Sequence, residues 1–285
     1  MIDAAGRASL AAAARAWHRP PVSTSTFAAP VRALVRAVPA SYTRCLRESP
    51  VAIDVARARE QHAAYLAALR DAGVDLLELP ADEAHPDCCF VEDTAILVDG
   101  AALITHPGAP SRRGECAAIA AALAPHLRLT TMPTTATLDG GDVLRTGDTL
   151  HVGRSSRTDA AGVAALTAFA APHGLTVRAV PLAAGLHLKS VVTLADPQTL
   201  VLQAGALDPA AFPRLDVIEV PEPVGANVLA LGRRVLVSTA APITAARLAA
   251  RGLDVVRLDI EEFNKGDGAF TCLSLRLPPP AHWCA

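Results

Sequence analysis

The chain has 285 residues, 51% hydrophobic and only 4% aromatic, with a formal net charge of −2 at pH 7. That length can bury the core of one large or two small domains. Scarce aromatics and the lack of any long single-sign charge run exclude a base-stacking nucleic-acid surface and a basic membrane-binding face, and no stretch of eighteen apolar residues offers a membrane span.

Residues 1–28 are alanine-rich, are broken by Arg7 and Arg15, and end in PPVSTST. They lack the uninterrupted apolar stretch of an export signal. They read as a flexible extension ahead of a single domain over 29–285, and the expected location is cytoplasmic. Six cysteines, Cys45, Cys88, Cys89, Cys116, Cys272 and Cys284, are dispersed. They suit free thiols better than a disulfide framework, and Cys88-Cys89 is not a zinc spacing.

VRALVRAV (31–38) reads as the first strand. DTAILVDGAALIT (93–105) is an apolar run, a tight turn and a second apolar run. The same shape recurs over 141–153, 190–203 and 226–239, each time a hairpin signal. Alanine-rich helical stretches lie at 112–126, 160–174 and 242–252 and end near Pro or Gly. Extended segments follow at 175–182 and 254–260, so the unit is strand, strand, helix, strand. TCLSLRL (271–277), with Leu273, Leu275 and Leu277 alternating, opens a fifth unit. Pairing it with 31–38 would close a ring.

One polar residue enters each first strand: Asp93, Asp139, His187, Asn227 and Cys272, spaced by 46, 48, 40 and 45 residues. A near-constant period puts equivalent positions at equivalent places in each unit. In a closed ring they meet near the axis, gathering two acids, a histidine and a cysteine. Each has a bland reading alone. A free cysteine in an apolar strand is usually packing, Asp139-Gly140-Gly141 is a common turn, and most of the nine histidines must be surface or satisfied core residues.

Five ordered motifs narrow the choice: PDCCFVEDTAIL (86–97), ITHPGAPSRR (104–113), TLDGGDVL (137–144), LHLKS (186–190) and GDGAFTCLSL (266–275). Together they resemble the dimethylarginine dimethylaminohydrolases of the guanidine-modifying (pentein) superfamily, over about residues 31–277. The resemblance implies a five-bladed α/β propeller of ββαβ units around a central channel. It implies hydrolysis of asymmetric dimethylarginine or monomethylarginine to citrulline and dimethylamine or methylamine, with no cofactor and no required metal. The expected partner is a small-molecule substrate, not nucleic acid or membrane, and the protein is expected to be a monomer or homodimer.

The implied roles are chemically coherent. Cys272 attacks the guanidinium carbon as a thiolate, splitting one hard step into two. His187 protonates the departing amine and then draws a proton from water. Asp139 holds His187 and the guanidinium, and Asp93 chiefly the guanidinium, because a desolvated cation must be paired. Asp87 and Glu92 are further substrate carboxylates by the resemblance. Arg112 and Arg157 are matched to the substrate carboxylate, the carbonyls of Leu46 and Gly266 to its α-amino group, and Asp267 to the substrate loop. Gly266 departs from the family, where a bulkier residue is expected, and suggests a looser amino-acid end. Cys88-Cys89 and the terminal PPPAHWCA have no implied role. An arginine deiminase, an amidinotransferase and a non-catalytic arginine-analogue binder remain as alternatives. The first two share the catalytic set, whereas a binder has no need of the nucleophile.

Overall fold

Each hairpin in the sequence is the inner part of a three-stranded sheet, and five such sheets follow one another along the chain. The computed structural model describes residues 32–182 and 185–277. The extension expected over 1–28 and the whole of PPPAHWCA, Cys284 included, lie outside the described residues.

The first sheet contains β1 (Arg32–Arg36) and β2 (Asp75–Leu79), and the second β3 (Ala95–Val98), β4 (Ala101–Ile104) and β5 (Arg128–Thr131). The third contains β6 (Val143–Thr146), β7 (Thr149–Arg154) and β8 (Thr176–Pro181). The fourth contains β9 (Val192–Asp196), β10 (Thr199–Gln203) and β11 (Asp216–Val220), and the fifth β12 (Leu229–Leu231), β13 (Arg234–Ser238) and β14 (Asp254–Leu258). In sheets two to five the first two strands pair antiparallel and the third joins in parallel. The last strand, β15 (Leu275–Leu277), returns to the first sheet and pairs antiparallel with β1, Arg32 opposite Leu277 and Leu34 opposite Leu275. The ring closes as the sequence suggests, giving a five-unit α/β propeller.

Burial explains the layering. The middle strands β4 and β10 are almost wholly buried, whereas the outer strands β2 and β5 are half-exposed or exposed. Helices Cys116–Leu123, Ala160–Ala170 and Pro242–Ala249 cover the outer faces as expected. A helix that the periodic pattern did not single out, Val55–Asp71, serves the first unit. Asp54 caps it by accepting from the Arg57 N–H at 3.1 Å, and Ala58, His62, Tyr65 and Leu69 form its buried face.

Two expectations are corrected. The fourth unit has no α-helix between its second and third strands, only the single turn Pro209–Ala211. The run 271–277 is also not one strand. Phe270–Leu273 is a 3-10 turn, in which the Cys272 N–H donates to the Ala269 carbonyl at 3.1 Å, and the strand begins at Leu275. Cys272 therefore stands on a turn at the mouth of the strand.

The three-residue β15 closes the ring mainly through its side chains. Leu275 and Leu277 pack with Leu34, Val91, Ala95 and Ile104 across the seam between the first two units. Leu275→Ala should lower the unfolding free energy by about 2–4 kcal/mol, read as a lower urea midpoint.

Candidate active site

The five periodic residues all stand immediately before an inner strand, on or beside a short turn. Asp93 lies in Val91–Thr94, Asp139 caps Gly140–Asp142, and His187 caps the helical turn Leu188–Val191. Asn227 follows Pro223–Gly225, and Cys272 lies in Phe270–Leu273. The first four turns touch in succession and the fifth touches the first, while Asn227 joins the fourth to the fifth through Thr271.

His187 is the centre of this set. Its Nε2 lies 3.0 Å from Asp139 Oδ2, and its Nδ1 lies 3.9 Å from Asp93 Oδ1. All three residues are buried. Burial alone would lower the imidazole, but Asp93, the hydrogen bond to Asp139 and the charge of Asp142 outweigh it and hold His187 up at about 9. Against the same desolvation, His187 and Arg112 hold Asp93 down at about 2. The nearest ligand atoms of Asp93, Asp139 and His187 lie within 4.8 Å of one another, close enough to surround a small cation. Here the imidazolium is the cation that the two carboxylates pair.

The motifs are built around this pairing. Asp139 accepts the Gly108 N–H at 2.8 Å through its other oxygen, and Asp93 Oδ1 accepts the Gly141 N–H at 2.9 Å. A Cβ on Gly141 would come within 2.7 Å of His187 Nδ1 and 2.9 Å of Asp93 Oδ1. The DGG sequence is therefore a packing requirement of the histidine and more than a loose turn. Asp142, unassigned from sequence, accepts the Leu188 N–H at 3.0 Å and the hydroxyls of Ser155 and Thr158, which anchors the segment carrying His187. Ser190 Oγ accepts the His187 N–H at 3.3 Å.

A cavity of about 300 Å³ opens on this cluster, lined by Leu46, Asp87, Asp93, Arg112, Arg157, His187, Gly266, Asp267 and Cys272 among others. Its size is at the lower end for small-molecule sites. Two larger concavities, of about 620 and 700 Å³, lie elsewhere and contain none of the axial residues. The structure thus brings together nine of the eleven residues expected at the site. Asp139, wholly buried, stands behind His187. Glu92 does not line the cavity, and its two oxygens accept from Lys189 Nζ and Thr271 Oγ1.

Arg112 is also placed differently from expectation. Its guanidinium bonds to Asp93, to both oxygens of Glu115 at 3.1 and 2.8 Å, and to the Phe90 carbonyl at 2.8 Å. It props the carboxylate that faces the cavity. Glu115, three residues on in the same turn, is the partner that sequence reading missed. Arg157 is less committed, with Asp139 3.9 Å from its guanidinium. At the rim, Asp87 accepts the Leu46 N–H at 3.0 Å and Asp267 the Glu48 N–H at 2.6 Å. These two acids pin the segment that overhangs the opening. Asp267 holds a left-handed backbone, φ 56°, which aspartate tolerates better than most residues.

Gly266 does not leave the looser space expected of it. A Cβ there would meet Tyr42 Oη at 2.6 Å and Cys45 Sγ at 3.1 Å. Tyr42 and Cys45 occupy the volume, and glycine is what fits against them. Cys88 and Cys89 are buried packing.

Cys272 is half-buried and faces the cavity. Burial first, then the carboxylates of Glu92 and Asp93, push its thiol up to about 12. Near neutral pH the Cys272 thiol is therefore neutral while the His187 imidazole is charged, so the two are not an ion pair of thiolate and imidazolium.

No family model matches the chain. A dimethylarginine dimethylaminohydrolase of Streptomyces coelicolor is 46% identical over 229 residues, covering 79% of this chain and 88% of the relative. The Pseudomonas aeruginosa protein of the same name is 35% identical over 227 residues, covering 78% and 89%. A solved structure of that P. aeruginosa protein, a cysteine-to-serine mutant complexed with citrulline, superimposes with a TM-score of 0.84 at 32% identity, covering 87% of this chain and all of the other.

The histidine pairing has a stability signature. The folded value of about 9 lies above the ordinary 6.5. Its contribution is complete below pH 6.5, declines as pH rises, and is gone above about 9. Urea unfolding of the wild type should weaken across pH 6.5–9 more than that of Asp139→Asn, and His187 should titrate near 9 by NMR.

Proposed function

The chain belongs to the dimethylarginine dimethylaminohydrolase family, and from that premise we propose that it hydrolyses Nω-methylated arginines to citrulline and dimethylamine or methylamine, with Cys272 as nucleophile. The observation that carries this reading is the pairing of a cysteine-bearing turn with an imidazolium held by two buried carboxylates, at the base of a cavity lined by acids and arginines.

The charges of the cavity match the ends of the substrate. Asp93 faces inward and, held down at about 2, stays ionised to receive a guanidinium. Asp87 is raised by burial, although Arg112 opposes the shift. Arg157, the less committed of the two arginines, suits the amino-acid carboxylate. The carbonyls of Leu46 and Gly266 suit the ammonium, and Asp267 shapes the rim.

A neutral thiol has to be ionised before it attacks. A methylarginine cation bound beside Cys272 supplies a positive charge that lowers the thiol as it binds, and the thiol proton passes to solvent water. Sulfur then bonds to the guanidinium carbon, giving a tetrahedral adduct. The carbon–nitrogen bond to the methylated nitrogen breaks as His187 gives that nitrogen its proton. Dimethylamine leaves, and a thiouronium remains on Cys272. His187, now neutral, takes a proton from water as the water oxygen adds to the same carbon. The new hydroxyl gives its proton to the departing sulfur as the carbon–sulfur bond breaks, which restores the Cys272 thiol and releases citrulline. Strong thiolate absorbance from Cys272 at pH 7 without ligand would contradict this order of events.

No helix among the described residues is long and apolar enough to cross a membrane. The same reading has the protein acting on a free amino acid in the cytoplasm, as a monomer or homodimer, with one catalytic domain following the N-terminal extension.

Purified protein given asymmetric dimethylarginine should release citrulline and dimethylamine in equal amounts. Cys272→Ser should reduce this at least about a thousandfold. Citrulline from arginine alone would move the protein to the deiminase reading, and none from either would remove the hydrolase reading. kcat/KM should fall as pH rises through about 9, where His187 of the free enzyme loses the proton it donates, and Asp139→Asn should bring that limb to lower pH.

A further inference from the structure

Of the five axial residues, Asn227 alone has no place in the chemistry above. It is buried, as are Glu92, Lys189 and Thr271, and the four close a cycle. Lys189 Nζ donates to Glu92 Oε1 at 2.5 Å, and Thr271 Oγ1 donates to Glu92 Oε2 at 2.7 Å. The Thr271 N–H donates to Asn227 Oδ1 at 3.2 Å. Asn227 Nδ2 donates to the Lys189 carbonyl at 2.9 Å and to Thr271 Oγ1 at 3.0 Å.

The cycle has a defined chemistry. Asn227 must accept once and donate twice from one planar group, which only an amide does. Aspartate would set an anion against a carbonyl oxygen, and serine would not reach both neighbours. The Lys189 ammonium and the Glu92 carboxylate neutralise each other, so the cycle adds no net charge beside the thiol. Every member is buried and bonded, the condition under which a polar network specifies one arrangement.

Position gives the cycle its consequence. Thr271 precedes Cys272, Glu92 precedes Asp93, and Lys189 lies two residues after His187. The cycle therefore locks together the three turns that carry the nucleophile, the guanidinium carboxylate and the acid. We propose that Asn227 and Thr271 are positioning residues, which hold the Cys272 turn in register with His187 and Asp93. This rests on Cys272 being the nucleophile.

The test compares Thr271→Val, Thr271→Ser, Asn227→Ala and Cys272→Ser in citrulline release from asymmetric dimethylarginine, with thermal melts alongside. Misplacement of a reacting atom by a fraction of an ångström to one ångström costs about tenfold to a hundredfold in rate. Thr271→Val and Asn227→Ala should lose that much kcat, with KM changed less than about threefold. Thr271→Ser, which keeps the hydroxyl, should stay within about threefold of wild type. Full kcat in Thr271→Val overturns the proposal, as does a loss confined to KM. Equal loss in the serine and valine variants also overturns it, since the methyl group and not the hydrogen bond would then be responsible. Should Asn227→Ala lose its cooperative melt, the valine and serine pair decides alone. Activity retained by Cys272→Ser would overturn the nucleophile reading itself. An inactive Cys272→Ser beside a fully active Thr271→Val would overturn only the positioning role.

Discussion

An imidazole set between two buried carboxylates is the constraint on which the site depends. Asp93 and Asp139 come from different units of the ring and His187 from a third. None of them is stable in this place without the others, because an unpaired buried charge is costly. The arrangement also requires glycine at 141, where a side chain would collide with the histidine ring. The pairing holds the histidine well above its ordinary value, so near neutral pH a charged imidazolium lines the same cavity as the Cys272 sulfur.

A second shell of ion pairs keeps that charge arrangement in order. Arg112 is neutralised by Asp93 and Glu115 together, and Lys189 by Glu92. Each cation sits within bonding distance of a carboxylate from another turn or from its own. The interior of the ring can therefore contain many ionised groups near its axis without an isolated one. What faces the cavity is the remainder: a carboxylate edge, the less committed Arg157, and a neutral sulfur.

The ring was legible in the sequence because its hairpins repeat and because the same kind of position recurs every 40–48 residues. Closure by 31–38 against 271–277 was one option that the strands allowed, and the family resemblance, not the period, made it the expected one. Direction was harder to read. Glu92 and Asp93 are adjacent on a 3-10 turn, and on such a turn neighbouring side chains point different ways, so one faces the cavity and the other the Lys189–Thr271 cycle. Arg112 carries the residue type for a carboxylate ligand, yet Glu115 and Asp93 claim it through contacts that span 3 and 19 residues. At Gly266 the sequence showed a missing side chain, and only packing showed that Tyr42 and Cys45 fill the space. Helix Val55–Asp71 had its own signals, an aspartate cap and good helix formers, but it falls outside the hairpin period that organised the rest.

The joining of β15 to β1 has a consequence for how the protein is born. The first strand can pair with β2 soon after both are made, but its other edge is covered only by β15, which comes last among the described strands. Four sheets can pair as they appear, since each is local in the chain. The ring cannot shut until Leu275–Leu277 arrives, and long-range closure of this kind is slow relative to hairpin formation. The cysteine-bearing turn immediately precedes that strand. Its sulfur therefore meets the acids and the histidine only on completion of the domain. Chains that stop short of residue 272 carry the acids and the histidine but not the sulfur, so the axial set is assembled only when the ring is.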